Sequence, residues 1–139
     1  MKATWASGKL SLSPQHSVNR SKIEDQFFQA IKAVYPDISR GTIRLGKRWF
    51  FPDVLAPHDG VVIEFYGDFW HANPQRYAYG DIVNHTTAAA IWRRDAERVE
   101  AIESLGYQVI IVWESDYKSD RLATVKHIDN LLNWDSCSL

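Results

Sequence analysis

One stretch of the chain sets a carboxylate among residues that suit a buried strand. Residues 60–74 read GVVIEFYGDFWHANP, and Glu64 lies in the middle of the apolar run. An ionised carboxylate inside a protein is costly unless it is paired or bound to a metal. Glu64 therefore needs a partner, unless its strand is less buried than the apolar run indicates.

Asp53 is the partner that the sequence suggests. It lies in the run FFPDV, and if this run pairs with residues 61–66 through the turn PHDG, both acids lie at one end of a sheet. Two hard oxygen ligands on adjacent strands, with room for water and phosphate, suit Mg²⁺ better than a softer metal, and Mn²⁺ is the alternative. The competing interpretation of Asp53 is an ordinary turn residue after a proline.

His71 is a candidate general base. An imidazole can take a proton from water near neutral pH when a second group holds its ring. Gly67 lets the chain bend before His71, and Asp95 in the run RRDAER is a candidate holder. A lone loop histidine is more often a bystander, and a helix aspartate is more often a solvated partner of a nearby arginine, here Arg98.

Glu24 has an explanation that needs no catalysis. The run SKIE at 21–24 fits a capping box, in which the glutamate satisfies the start of a helix. A catalytic role for Glu24 is compatible with that. Asp68, His58 and His85 are further candidates without a defined role.

Hydrophobic periodicity predicts elements in the order α-β-β-β-α-β-α that would position these residues. The predicted segments are a helix at 22–35, a hairpin of strands at 42–45 and 49–54, a strand at 61–66, a helix at 87–105, a strand at 108–113 and a helix at 120–133. The strand at 61–66 is apolar at both parities, so we expect it to be central in the sheet. The helix that follows it is long enough for a crossover to a parallel strand.

The second predicted helix has one apolar stripe. Its members are Trp92, Ala96, Val99 and Ile102, and Gly106 is a plausible residue to end the helix. The whole pattern predicts an α/β fold with a mixed sheet flanked by helices, plus a C-terminal helix.

Length and composition favour one domain. The 139 residues divide into a serine-rich arm at 1–20, which has no sustained period, and a single domain at 21–139. The net charge of −1 does not point to a polyanionic partner, so contact with nucleic acid would depend on local basic clusters. Those clusters contain Arg40, Arg44, Lys47, Arg48, Arg93, Arg94 and Arg98, and a solvated surface is the alternative for each.

Cysteine usage and hydropathy exclude several classes of protein. The single cysteine, Cys137, forms no internal disulfide and does not support a cysteine-based zinc site. The first 20 residues lack the apolar run of a secretory signal, and no segment approaches the ~20 apolar residues of a membrane span. We therefore expect a soluble, intracellular, cytoplasmic protein with no membrane partner.

Taken together, these motifs resemble a nuclease family. FFPDV, GVVIEFYGDFWH, RRD at 93–95 and GYQVIIVWE at 106–114 are similar to sequences of the very short patch repair endonucleases. The similarity is greater to homing endonucleases that share their catalytic domain and are named for an E-D-x-H-D set. Both groups belong to the PD-(D/E)xK superfamily, and the resemblance covers about residues 20–116.

The resemblance implies a restriction-endonuclease-like α-β-β-β-α-β core and a role for each candidate residue. It implies that Asp53 is a metal ligand, that Glu64 takes the position of the second superfamily acid and that His71 activates water. It further implies that Asp95 is the partner of His71 and that Glu24 is the acid of the first helix.

This sequence departs from the family pattern at three points. The usual lysine two residues after the second acid is Tyr66, so proton transfer would fall to His71. The cysteines of the repair enzymes' zinc site are absent, so we expect no structural zinc. No DNA-reading module fits after residue 134, so we expect target specificity to be low or supplied by a separate subunit or a homodimer partner.

The sequence as a whole predicts a Mg²⁺-dependent DNA endonuclease, of the homing or nicking type, that hydrolyses phosphodiester bonds. One alternative is a nucleic-acid-binding module that keeps the fold without catalysis, and another is a mismatch-specific repair nickase. The large aromatic residues Trp5, Trp49, Phe69 and Trp70 are candidates to stack on bases, against a role in the core.

Overall fold

Helices cover both faces of a small mixed sheet. A computed structural model describes residues 21–132 of the chain. Its elements in chain order are α1 (Lys22–Val34), β1 (Ile43–Leu45), β2 (Arg48–Phe50), β3 (Val54–Ala56), β4 (Val61–Tyr66), β5 (Ile82–Val83), β6 (Thr86–Thr87), α2 (Ala88–Glu103), β7 (Gln108–Trp113), α3 (Glu114–Ser119) and α4 (Arg121–Leu132).

The main sheet has three strands in the order β3-β4-β7. β3 is antiparallel to β4, with Val54 opposite Ile63. β7 is parallel to β4 along its whole length, from Val61 opposite Gln108 to Tyr66 opposite Trp113. All six residues of β4 are buried, so the predictions of a central strand and of a parallel crossover are confirmed.

The two faces of β4 meet different helices because side chains alternate along a strand. Val61, Ile63 and Phe65 pack in one cluster with residues of α1 and α4. Val62 packs in another cluster with Ile102 of α2 and Phe50 of β2. Glu64 and Tyr66 share the parity of Val62, so they face α2.

The two longest helices begin where the sequence predicts. The Ser21 hydroxyl accepts a hydrogen bond from the Glu24 backbone N–H at 3.2 Å, which is one half of the predicted capping box. The Thr87 hydroxyl caps α2 in the same way, through the Ala90 N–H at 3.1 Å. Gly106, with a φ of 96°, takes the left-handed conformation just beyond the end of α2.

The hairpin differs from the prediction in its extent. Its strands β1 and β2 form a separate two-stranded sheet, and a bend at Asp53 separates β2 from β3. Pro52 explains the break, because proline has no N–H to donate to a neighbouring strand. The predicted strand at 49–54 is therefore two strands that belong to different sheets.

Two further elements were not predicted. Between the predicted strand at 61–66 and the predicted helix at 87–105, where no element was predicted, a short hairpin begins, and its turn residues Asn84 and His85 have φ values of 49° and 71°. Two successive positive φ values suit a tight hairpin turn. The predicted C-terminal helix at 120–133 is preceded by the additional helix α3.

The inward face of α2 shares only Ile102 with the predicted stripe. The buried residues of α2 are Ala88, Ile91, Asp95 and Ile102. Ala96 is exposed, and Trp92 and Val99 are only half-buried. The helix was predicted correctly, but the set of residues that face inward was not, because a charged residue, Asp95, lies on the inward face.

Some predictions concern residues outside 21–132. The arm at 1–20 with Trp5, the predicted last residue of the C-terminal helix, and Cys137 lie outside the residues that the structure describes. Within the described range, no helix is long and apolar enough to cross a membrane.

Candidate active site

Glu64 is buried and paired with an arginine. Its side chain is on the α2 face of β4, and the residue is 3% exposed. Its Oε1 accepts a hydrogen bond from Arg98 Nε at 2.7 Å, and its Oε2 accepts one from the Asp53 backbone N–H at 3.2 Å. Burial raises the pKa of Glu64 and the charge of Asp53 raises it further, while Arg98 opposes both effects. The alternative of a less buried strand is therefore wrong.

Asp53 lies beside Glu64, as expected, and the two acids are joined through the backbone. Asp53 Oδ2 accepts a hydrogen bond from the Phe65 N–H at 2.7 Å. Each carboxylate thus accepts a hydrogen bond from a backbone N–H of the segment that carries the other acid. Both line one cavity of about 530 Å³ between α2, the hairpin and β4.

His71 and Asp95 form a hydrogen-bonded pair in the same cavity. His71 Nδ1 lies 2.8 Å from Asp95 Oδ2, and Asp95 is 8% exposed. A carboxylate accepts, so Nδ1 carries the hydrogen, and in the neutral form of the imidazole Nε2 has the lone pair. Arg94 Nη2 donates to the other Asp95 oxygen at 3.3 Å. The alternative interpretation of Asp95 as a solvated surface residue is wrong.

Tyr66 covers the face of the His71 ring. The two rings are stacked, with centroids 3.8 Å apart and planes within 3°. Trp113 on β7 contacts Tyr66 edge to face at 5.3 Å. Burial raises the pKa of the Tyr66 phenol, with the charges of Asp95 and Glu64 next in importance, so the phenol keeps its proton. Within residues 21–132 its hydroxyl has no hydrogen-bond partner.

A buried polar network shapes the loop that carries His71. Asp68 Oδ1 accepts hydrogen bonds from Asn73 Nδ2 at 2.8 Å and from the Ser115 hydroxyl at 3.1 Å. The Asp68 N–H donates to Glu114 Oε1 at 3.3 Å, which ties the loop to α3. Asp68 and Asn73 are both buried. Because they lie on either side of His71, the network fixes the backbone at both ends of the residue's turn.

The residue after His71 adds a second constraint. Ala72 has a φ of 48°, a left-handed conformation that residues other than glycine adopt at some cost. Its carbonyl accepts a hydrogen bond from Trp92 Nε1 on α2 at 2.6 Å. The side chain of Trp92 therefore holds the loop against the helix that carries Asp95.

The predicted basic residues are divided between different places. Arg48 and Arg94 line the cavity with the acids, as does Arg98. Arg93 lines the adjoining groove, and Lys47 is exposed at the hairpin turn. Arg44 stacks over Trp49 of the same hairpin. Arg40 instead pairs with Asp25 of α1 at 2.7 Å and is not among the residues that line the cavity.

Two aromatic side chains beside His71 are open to solvent. Trp70 is 62% exposed and Phe69 is 45% exposed, and their rings contact each other edge to face. Trp49 is 49% exposed and lines the cavity. These three residues are therefore accessible to a ligand, in contrast to the core role that was the alternative.

Glu24 is not among the residues that line this cavity. It lies in the first turn of α1, a helix that packs against the opposite face of β4. The structure thus brings together four of the five predicted catalytic residues: Asp53, Glu64, His71 and Asp95.

The acids fit a magnesium site of the simplest kind. Among residues 21–132, no group of three or more His, Cys, Asp or Glu side chains is arranged to hold a metal ion. Mg²⁺ commonly uses one or two protein carboxylates and takes its other ligands from water and phosphate. Asp53 and Glu64 could supply two such carboxylates, and Glu64 would then be shared with Arg98, which already donates to its Oε1.

Three residues of the site were missed at the level of sequence. Arg98 was considered as a member of a basic cluster and as a solvated partner of Asp95, although its spacing from Asp95 and Ile102 places it on their face of the helix. Asn73 and Ser115 have no local signal, because they meet Asp68 only in the folded chain.

No protein-family model, curated protein or solved structure matches this chain. Its function is therefore inferred from the chemistry of its side chains.

Proposed function

We propose that this chain is a DNA endonuclease domain with a restriction-endonuclease-like fold, which hydrolyses a phosphodiester bond with the help of Mg²⁺. One observation carries the proposal: a hydrogen-bonded His71–Asp95 pair shares a cavity with Asp53 and Glu64. The mixed sheet with its parallel crossover supports the fold assignment, because it agrees with the core that the sequence resemblance implies.

In the proposed reaction, His71 Nε2 accepts a proton from a water molecule. The water oxygen forms a bond to phosphorus, and the bond from phosphorus to one bridging oxygen breaks; that oxygen leaves with the bonding electron pair and takes a proton from solvent. Asp95 holds the Nδ1–H of His71 and stabilises the imidazolium that forms. A bound Mg²⁺, held by Asp53 and Glu64, would stabilise the charge on the phosphate.

Arginines and exposed aromatic residues provide the DNA contacts in this proposal. Arg48 and Arg94 at the cavity bind phosphates on either side of the bond that is cut, and affinity falls as salt rises. Trp49 and Trp70 stack on bases near the site. One such cavity in a chain cuts one strand, and a homodimer cuts two.

The test is cleavage of supercoiled plasmid. With Mg²⁺ or Mn²⁺ the wild-type protein is expected to give nicked or linear DNA, and with EDTA none. His71→Ala is expected to lose about 10²- to 10⁴-fold in rate, the usual contribution of a general base. His127→Ala, an exposed residue of α4, is the matched control and is expected to cleave normally.

The second candidate function is a DNA-binding module without catalysis. It is favoured by the pairing of Glu64 with Arg98, which compensates the buried carboxylate without a metal ion. Wild-type protein that binds the plasmid but leaves it intact with every divalent cation would support this module and contradict the endonuclease. Comparison of matched and mismatched duplexes separates the remaining alternative, a mismatch-specific nickase.

A further inference from the structure

The Tyr66 hydroxyl is a buried polar group that lacks a partner. Tyr66 is 6% exposed, and within the described part of the chain its oxygen makes no hydrogen bond. Folded proteins satisfy nearly all buried polar side-chain atoms, so an exception in a cavity calls for a ligand or another explanation. The mechanism above does not use this hydroxyl.

The packing around Tyr66 fixes its ring within the cavity. The ring is stacked on His71 at 3.8 Å and is contacted at its other side by Trp113. Tyr66 lines the cavity together with Asp53 and Glu64. The ring cannot turn away without losing the stacking that also holds the imidazole.

The neighbouring side chains do not satisfy the hydroxyl. Asp95 already accepts from His71 and Arg94, and Glu64 already accepts from Arg98 and the Asp53 N–H. Neither carboxylate accepts a hydrogen bond from the phenol. The arginines have only donors. A protonated phenol is itself a donor, so a ligand in the cavity that offers an acceptor oxygen would satisfy it.

We propose that the Tyr66 hydroxyl donates a hydrogen bond to a non-bridging phosphate oxygen of the bound nucleic acid, beside the water that His71 activates. This inference rests on the proposed function. It makes Tyr66 a catalytic residue that contacts the substrate directly. The contact stabilises charge on the phosphate, and the same ring orients the imidazole.

Tyr66→Phe tests the contact because it removes only the oxygen and keeps the stacked ring. We expect the cleavage rate to fall about 10²-fold, as when one donor to a developing charge is removed. We expect the thermal midpoint to stay the same or to rise, because a buried hydroxyl without a partner is lost. Tyr107→Phe is the matched control, since Tyr107 precedes β7 at the opposite end of the sheet. A Tyr66→Phe protein that cleaves at the wild-type rate overturns the inference.

A second readout separates this inference from the proposed function. Binding of inorganic phosphate to wild-type protein and to Tyr66→Phe is measured by isothermal titration calorimetry, which requires no cleavage. If wild-type protein cleaves no DNA, the endonuclease proposal fails, and weaker phosphate binding by Tyr66→Phe still supports the hydroxyl contact. Equal phosphate affinity of the two proteins, or no binding by either, then overturns the contact as well.

Discussion

The carboxylate of Glu64 depends on one guanidinium. Arg98 Nε lies 2.7 Å from Glu64 Oε1, and no second side-chain cation pairs with this carboxylate within the described residues. A buried ion pair adds little net stability, but the loss of one partner leaves an uncompensated charge. The pair therefore constrains which substitutions the site tolerates.

Arg98→Ala is expected to lower the free energy of unfolding by about 3 kcal/mol, because it leaves the buried Glu64 carboxylate without its counter-charge. Urea denaturation at neutral pH measures the loss. Arg93→Ala, at an exposed position of the same helix, is the control and is expected to change stability by less than about 0.5 kcal/mol.

Adding Glu64→Gln to the Arg98→Ala protein is expected to restore part of the lost stability, since the buried side chain at position 64 is then uncharged. The explanation fails if Arg98→Ala is no more destabilising than Arg93→Ala, or if the double variant is less stable than Arg98→Ala alone.

At the scale of elements, hydrophobic periodicity predicts that a helix forms better than it predicts which face of the helix points inward. The helix predicted at 87–105 is α2, Ala88–Glu103. Two residues of its predicted apolar stripe, Trp92 and Val99, are half-buried. They line a groove with Ile111 and Trp113. Hydrophobicity cannot reveal the inward face when that face carries buried charges such as Asp95. Asp95 is also a residue of the candidate site, so the helix face that was wrongly predicted is the face that lines this site.

Strand pairing was the least predictable feature of the elements. The β-branched and aromatic runs were recognised, but the division of residues 49–54 between a hairpin and the main sheet was not. That division depends on Pro52, which has no N–H to continue the pairing of the hairpin strands. It also depends on Ser39, which forms an isolated β-bridge with Leu55. Ser39 and Leu55 are distant in sequence, so no local pattern indicates their contact.

The end of α1 is joined to the turn between β3 and β4. Tyr35, the C-cap residue of α1, donates a hydrogen bond from its hydroxyl to Asp59. This hydrogen bond, followed by burial, raises the pKa of Tyr35 from 10.0 to about 12. A phenol with a raised pKa in the folded state stabilises the fold below its unfolded pKa, and that contribution is lost as pH rises through the folded pKa.

We therefore expect the stability difference between wild-type protein and Tyr35→Phe to be constant below pH 10 and to shrink between pH 10 and about 12. Chemical denaturation of both proteins across that range measures the difference, and comparison with Tyr35→Phe cancels the titration of other groups. A difference that does not change with pH would show that the Tyr35 hydroxyl makes no such contribution.

At the scale of the whole molecule, residues distant in sequence converge on one cavity. Asp53, Glu64, His71 and Asp95 were recognised from their types and from the family resemblance, and the structure brings them together. The groups that compensate and position them were not recognised. Arg98, Asn73 and Ser115 become partners only through helix phase and long-range packing, which a single sequence does not specify.

The charge of the whole chain conceals the local character of this cavity. The net charge is −1, and the cavity brings three arginines (Arg48, Arg94 and Arg98) together with four acids (Asp53, Glu64, Asp95 and Glu97). Exposed Trp49 lies on the same cavity. The proposed phosphate-bearing ligand would therefore meet arginines placed beside acids, and not a uniformly basic surface.

The measurement that tests the central claim most directly is the single-turnover cleavage rate of Asp95→Asn. The substitution keeps the size of the side chain but removes the charged acceptor that holds His71 Nδ1–H. We predict a loss of about 10²-fold or more in rate with unchanged DNA affinity, because the imidazole loses its orientation and its counter-charge. Asp116→Asn, an exposed aspartate on α3, is the matched control and is expected to cleave normally. Cleavage by Asp95→Asn at the wild-type rate would contradict the assignment of His71 as a base held by Asp95.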